Sequence, residues 1–316
     1  MSETDGNVPD TAPLRIATRS SQQASTQAGA VASALTAATG RPVELVFVDT
    51  VGDRTQADNV PLHSIGGQGV FVKEVQNAVL DGRADLAVHS AKDLTSDTTP
   101  GLRLAAFTER RDAHDVLVGA TLDELPLGAL VATGSVRRRA QLAAVRPDLE
   151  FAELRGNIGT RLSKVPDGGA IVMAKAALLI LELTEHIAEE LSLSEFVPAV
   201  GQGCVAIECR VDDDDTRRAL ATIDHAPTRR AVEIERAFLS ELGSGCSLPV
   251  AGHVRGSGLD IFVADPERST SVRHRVELRS HPDGHESVDA DLAAARQGAR
   301  DAMASLAGQV ASGDGA

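Results

Sequence analysis

Four short stretches set cations beside small polar residues at spacings suited to holding an anion. They are Thr18-Arg19-Ser20-Ser21, His89-Ser90-Ala91-Lys92-Asp93, Thr133-Gly134-Ser135-Val136-Arg137-Arg138-Arg139 and Leu154-Arg155-Gly156-Asn157-Ile158-Gly159-Thr160-Arg161. Each supplies polar side chains, backbone N–H groups near a helix start and at least one positive group, and together these make an anion site. The planar fork of arginine binds carboxylates bidentately, so a small polycarboxylate or a phosphate ester is the ligand to expect. One arginine at a helix start is more often a salt-bridged surface residue; four such stretches at equivalent strand ends shift the reading toward a cleft. Asp93 is the lone acid among these cations. Its plainer role is to pair Lys92 or an arginine, and its sharper one is to shuttle a proton and stabilise a cationic intermediate. Cys246, in Gly243-Ser244-Gly245-Cys246-Ser247-Leu248-Pro249, sits on a glycine-flanked loop that leaves its sulfur accessible, whereas Cys204 and Cys209 fall in an apolar strand and read as inert core. Three cysteines without CxxC spacing indicate neither a disulfide framework nor a closed zinc site, and no metal centre is expected.

These loops need a frame to hold them. Leu14 to Thr18 reads as a strand, Ser21 to Thr39 as an Ala-rich helix, Val43 to Asp49 as a strand, Phe71 to Leu80 as a helix and Asp85 to His89 as a strand. Such β-α-β-α order implies a parallel sheet that binds ligands beyond the carboxyl ends of its strands. A second unit of the same kind starts near Asp112, with strands at Asp115 to Val118, Ala129 to Ala132, Leu149 to Leu154 and Ala170 to Met173. Its helices are placed at Ser135 to Val145, at Ile158 to Val165 and from Lys175. Phe196 to Gly203 is a loop between units, and Cys204 to Cys209 is a strand able to rejoin the first sheet. A third unit begins with the helix Pro227 to Leu242, continues through strands Val250 to Val254, Leu259 to Val263 and Val272 to Leu278, and closes on the helix Ala290 to Val310. Arg229 and Arg230 read as outer-helix residues whose loss, unlike that of the cleft arginines, should leave ligand handling near neutral. No internal sequence repeat is found.

At 316 residues the chain has room for two or three domains. The expected division is a disordered start at 1–13, a discontinuous first domain at 14–110 and 198–216, a second at 111–197, and a third at 217–316. Acidic residues outnumber basic ones 45 to 31, for a net charge of −14, and lysine occurs only at Lys73, Lys92, Lys164 and Lys175, a halophile-like composition. Such a surface excludes nonspecific binding of nucleic acid or anionic membranes. The absence of Trp and Tyr removes any platform for stacking bases. No apolar run is long enough to span a bilayer and the polar start lacks a signal-peptide pattern, so a cytoplasmic protein is expected, acting as a monomer.

With Leu14 to Ser21, Gly66 to Glu74, His89 to Leu94, Ser135 to Arg138, Leu154 to Lys164, Pro198 to Glu208 and Gly243 to Pro249 taken in order, the chain resembles the porphobilinogen deaminase (hydroxymethylbilane synthase) family from Leu14 onward. The resemblance implies an α/β fold: two periplasmic-binding-protein-like lobes with mixed, mainly parallel sheets, plus a small C-terminal α+β domain. It implies a transferase of porphyrin biosynthesis that joins four porphobilinogen molecules, with loss of ammonia, into the linear tetrapyrrole hydroxymethylbilane. Growth would start on a dipyrromethane cofactor attached covalently to Cys246, with Asp93 as the catalytic acid. Lys92, Thr133, Ser135, Arg137 and Arg138 would hold the cofactor, and Arg19, Ser21, Arg155, Arg161 and Gln202 the substrate. The chain departs from the family pattern at Gln22-Gln23, Gln68, Ala91, Thr95 and Ile180. The competing reading is a non-catalytic two-lobed protein that binds or senses a small anion.

Overall fold

The structure, a computed structural model, describes residues 12–50, 69, 71–243, 249–265, 267, 269–279 and 285–313. Most of the expected disordered start, together with Gln68 and Cys246, lies outside the described residues.

The first sheet is built from β1 (Leu14–Arg19), β2 (Val43–Val48), β3 (Leu86–Ser90), β4 (Leu102–Phe107) and, from far along the chain, β10 (Val205–Arg210). Its order is β2-β1-β3-β10-β4, with β10 antiparallel to both neighbours and the other four strands running one way. The second sheet uses β5 (Asp115–Val118), β6 (Leu130–Ala132), β7 (Glu150–Ala152), β8 (Ala170–Ala174) and β9 (Ile187–Glu190) in the order β7-β6-β8-β5-β9. Here β5 is the reversed strand. The two sheets therefore share one arrangement, in which the reversed strand is fed by a segment crossing between them. Residues 108–114 lead into β5 and residues 191–204 into β10. That repetition is topological and left no trace as repeated sequence. Both sheets are mixed and mainly parallel, as the resemblance implied.

Helix starts follow local chemistry. Ser21 caps α1 (Gln22–Thr39), accepting a bond from Ala24 N, and Gly40 closes it in the left-handed region at φ 73°. Helix α2 (Lys73–Leu80) buries Val75, Ala78 and Val79 against the first sheet. Ser135 caps α3 (Val136–Val145), Asn157 caps α4 (Ile158–Leu162), and α5 (Lys175–Ile180) follows β8 directly. Two elements escaped the sequence pattern. β4 carries adjacent alanines with weak strand preference, and β9 is an edge strand bearing two glutamates.

Helix α6 (Asp214–Ala221) is capped by Asp213 and leads to α7 (Ala226–Leu242). The third unit packs α7 and α8 (His285–Gly313) on an antiparallel sheet of β11 (Val250–Arg255), β12 (Gly258–Asp265) and β13 (Thr270–Glu277), around Ile234, Phe238, Leu259, Ile261, Ala295 and Ala299. Arg229 and Arg230 are not idle outer residues. Arg229 bonds Asp224 Oδ2 at 2.6 Å and Ala105 O at 2.7 Å, and Arg230 bonds the buried Asp291. A change at either removes a partner from a carboxylate.

One buried hub joins the crossings to this unit. Glu235 of α7, fully buried, takes a bidentate pair of 2.7 Å bonds from Arg110 of the first crossing, and also accepts from Gly201 N of the return crossing and from Val254 N, each at 2.8 Å. Arg110 further donates to Cys204 Sγ at 2.9 Å. Despite burial, which would raise it, the charge of Arg110 and bonds from His253 and Arg110 hold the Glu235 carboxyl down at about 2. Its contribution to stability is thus complete above the ordinary carboxylate range and fades as pH falls toward 2. Glu235→Gln strands the Arg110 charge and should lower the unfolding free energy by about 3–5 kcal/mol at neutral pH, read from urea titration by circular dichroism.

Candidate active site

All four cationic stretches lie at corresponding ends of the two sheets, beyond the carboxyl ends of the parallel strands. Arg19 closes β1, and its guanidinium stacks 4.1 Å from the Phe71 ring centroid. Lys92 and Asp93 occupy a 3-10 turn, Ala91–Asp93, immediately after β3. Gly201, at φ 71°, lies so close to this turn that a Cβ there would sit 2.9 Å from Ala91 Cβ. Asp93 shares a small pocket with Arg19, Gln27, Phe71, His89 and Ser90. Behind the turn, a buried row fixes its base: Gln76 donates to Glu208 at 2.8 Å, His89 Nε2 stands 3.1 Å from the same carboxylate, and Thr99 donates to Gln76.

The second sheet answers with Thr133, whose Oγ1 accepts from Ser135 N, and Ser135, whose Oγ caps α3 by accepting from Arg138 N. The cap turns Arg137 and Arg138 inward from the first helical turn, and both are buried. Arg155 follows β7 and is also buried. Gly156, at φ 123°, bends the chain against Thr160, where a Cβ would meet Thr160 Cγ2 at 2.7 Å. Arg161 then folds back, its Nε donating to Gly156 O at 2.8 Å.

Electrostatics shows that these stretches face one another. Burial lowers Arg161 to about 10, with Arg138, Arg155 and Arg19 pushing the same way and Asp93 opposing them. Lys92 is lowered to about 8, first by burial and then by Arg138 and Arg137, against the pull of Asp93 and Asp115. Arg19, Lys92, Asp93, Arg138, Arg155 and Arg161 thus occupy one field. Ser21, Thr133 and Ser135 are placed as turn and cap residues at its rim. Gln202, buried, donates from Nε2 to Ala113 O and Asp115 Oδ1, and its Oε1 has no partner among the described residues. Cys204 and Cys209 are buried free thiols pushed up to about 11 by burial, which suits core residues.

Sequence reasoning missed three participants. Asp115 accepts from both Arg137 and Arg138, and the available signal was an acid opening an all-apolar strand. Phe71 was assigned to a helix face and instead supports Arg19. Lys175 bonds Asp112 at 2.8 Å and Glu190 at 2.6 Å, giving these neighbouring acids a cation from the chain itself.

Two sheets of like topology, with an acid set among inward-facing arginines between them, define a two-lobed protein built to hold a polycarboxylate. Residues 14–218 match the family model "Porphobilinogen deaminase, dipyromethane cofactor binding domain", and residues 229–295 match its C-terminal domain. The chain belongs to the porphobilinogen deaminase family. It is 46% identical over 276 residues to a porphobilinogen deaminase of Nitratidesulfovibrio vulgaris (strain DP4), spanning 84% of this chain and 87% of that one. It is 41% identical over 313 residues to that of Thermobifida fusca (strain YX), spanning 95% and 96%. Among solved structures, a TRAP periplasmic solute binding protein from Desulfovibrio salexigens DSM2638 aligns at TM-score 0.41 and 11% identity, over 69% of this chain and 74% of that one. The donor set fits a dipyrromethane, because a group bearing several carboxylates would pair the cations that burial first, and neighbouring positive charge second, hold down at Arg161 and Lys92.

Lys92 yields a prediction with a definite sign. Its ammonium is depressed in the folded state, so the folded chain binds fewer protons than the unfolded chain between about pH 8 and 10.5, and its contribution to stability rises across that window. Cys204 and Cys209 act oppositely, but equally in any Lys92 variant. The stability advantage of Lys92→Met over the parent protein should therefore shrink by roughly 1–3 kcal/mol as pH rises from 8 to 10.5, followed by chemical denaturation.

Proposed function

We propose that this chain is a hydroxymethylbilane synthase, joining four porphobilinogen molecules head to tail with release of one ammonia each. The observation that carries the reading is Asp93, set on a turn among Arg19, Lys92 and Arg161 in a cleft whose cations face each other across two sheets. Each porphobilinogen carries an acetate and a propionate, so chain growth accumulates carboxylates and calls for a dense arginine set. Arg19, Arg155 and Arg161 would take those of the incoming ring, and Lys92, Arg137 and Arg138 those of the resident dipyrromethane. Ser21, Thr133, Ser135 and Gln202 would support them. In the reaction the C–N bond of the aminomethyl group breaks and its nitrogen leaves as ammonia. The methylene carbon then bonds the free α-carbon of the preceding ring, which loses a proton. Asp93 has two tasks: to manage the proton at the departing nitrogen and to stand beside the cation left behind, an attraction worth about 4 kcal/mol at 4 Å in a partly screened site. A bound dipyrromethane supplies the α-position on which growth begins, and Cys246 is the thiol to carry it.

The division into 14–110 with 198–216, 111–197 and 217–316 is supported by which strands share each sheet. No helix among the described residues is long and apolar enough to cross a membrane. A cytoplasmic monomer is the setting that the acidic, span-free sequence favours. A binder without turnover would hold porphobilinogen and release no ammonia, which separates the two readings directly.

Two experiments test the assignment. Purified protein should exceed its chain mass by one dipyrrole and react with Ehrlich's reagent, and Cys246→Ser should show the bare mass and no colour. Asp93→Asn keeps volume but removes the charge and the exchangeable proton; turnover should fall by about 10²–10⁴-fold with an unchanged circular dichroism spectrum. Near-normal turnover would withdraw Asp93 from the chemistry.

A further inference from the structure

The arginine pair after β6 poses a problem of its own. Two adjacent guanidinium groups, buried and like-charged, have no reason to hold one orientation unless something imposes it. Asp115, 1% exposed at the first position of β5, makes four bonds to do so. Its Oδ2 accepts from Arg137 Nη1 at 2.7 Å, and its Oδ1 accepts from Arg138 Nε at 3.0 Å and Nη2 at 2.7 Å. The fourth donor is Gln202 Nε2, at 2.9 Å, from the return crossing. Backbone carbonyls complete the hold, Val197 O on Arg137 Nη1 and Val172 O on Arg138 Nη1. Gln141, buried on the same helix, donates to Val197 O and accepts from Val197 N, so the helix grips the crossing as well.

We infer that Asp115 is the positioning residue for the carboxylate-binding arginines: its carboxylate aims Arg137 and Arg138 and ties their direction to the crossing through Gln202. The inference rests on the reading of this cleft as a porphobilinogen site. Among the described residues, the side-chain bonds of Arg137 run through Nη1, so the clamp fixes one corner of its fork and keeps the remaining N–H edge in a set direction. A fork aimed beforehand spends no ordering entropy when a carboxylate arrives, and misplacement by about 1 Å is enough to lower a rate about a hundredfold.

Electrostatics alone predicts the opposite outcome for the simplest variant, which makes the inference decidable. Asp115 reduces the positive charge that a ligand carboxylate feels, so a mere counter-charge would, on removal, leave the cleft more attractive. Asp115→Asn should then tighten binding; if Asp115 positions, the same change should weaken it despite the added charge. Asp115→Glu keeps the charge and displaces the carboxylate by one methylene, so it too should weaken binding, and it serves should the Asn variant fail to fold. The full-length proteins as purified are compared by intact mass, by the Michaelis constant for porphobilinogen per cofactor-loaded molecule, and by the rate at which phenylglyoxal modifies Arg137 and Arg138, read by peptide mass. Expected are a Michaelis constant raised at least tenfold, or loss of the dipyrrole adduct, together with several-fold faster labelling of both arginines. An equal or lower Michaelis constant, or labelling as slow as in the parent, overturns the inference, as does a fall in melting temperature as the sole change. If the parent protein carries no dipyrrole and turns over no porphobilinogen, the functional reading fails instead, and the labelling rates still decide whether Asp115 holds the pair.

Discussion

Repulsion between like charges is the constraint on which this structure turns. A site for many carboxylates must gather guanidinium groups away from water, and burial first, then the charge of each neighbour, makes them costlier to ionise, as the lowered Arg161 and Lys92 show. The protein meets this with a different support at each position. Arg19 rests on an aromatic face, Arg161 on a backbone carbonyl made reachable by Gly156, and Arg137 with Arg138 on a single buried carboxylate. Asp93 is a further acid in the same field, acting on both Arg161 and Lys92 from the turn after β3.

The sheets explain why these supports coincide. Because each sheet has one reversed strand next to β3 or β8, the crossings enter and leave at the same end as the cationic loops. Asp115, at the start of β5, and Gln202, from the return crossing, are then neighbours, and Glu235 clamps both crossings from outside. The third unit is thereby bonded to the joint between the sheets.

Much of this was legible in sequence, because strand-end loops rich in arginine and glycine announce both their local conformation and their ligand chemistry. The runs around β1, β3 and β8 showed their strands through dense β-branched or apolar residues, and Ser21 and Ser135 marked helix starts. What stayed hidden was pairing across distance. Nothing local in Asp115 says that its counter-charges lie some twenty residues on, nor in Glu235 that its partner is Arg110, and Arg230 looked exposed because its acid, Asp291, comes from α8. β4 and β9 were missed because tertiary neighbours, rather than their own residues, make them strands. Cys246 stands on sequence alone.

The interleaving of the first sheet has a consequence for the order in which the protein can be made. On the ribosome, β1 to β4 emerge first, yet the strand that belongs between β3 and β4 emerges only after every strand of the second sheet. The second sheet is continuous in the chain and can close on its own; the first must wait with β4 unpaired and its hydrogen-bonding edge open. Folding of the earlier-made lobe is therefore completed by the later-made segment, and the interval between them is when the nascent chain is most exposed to mispairing.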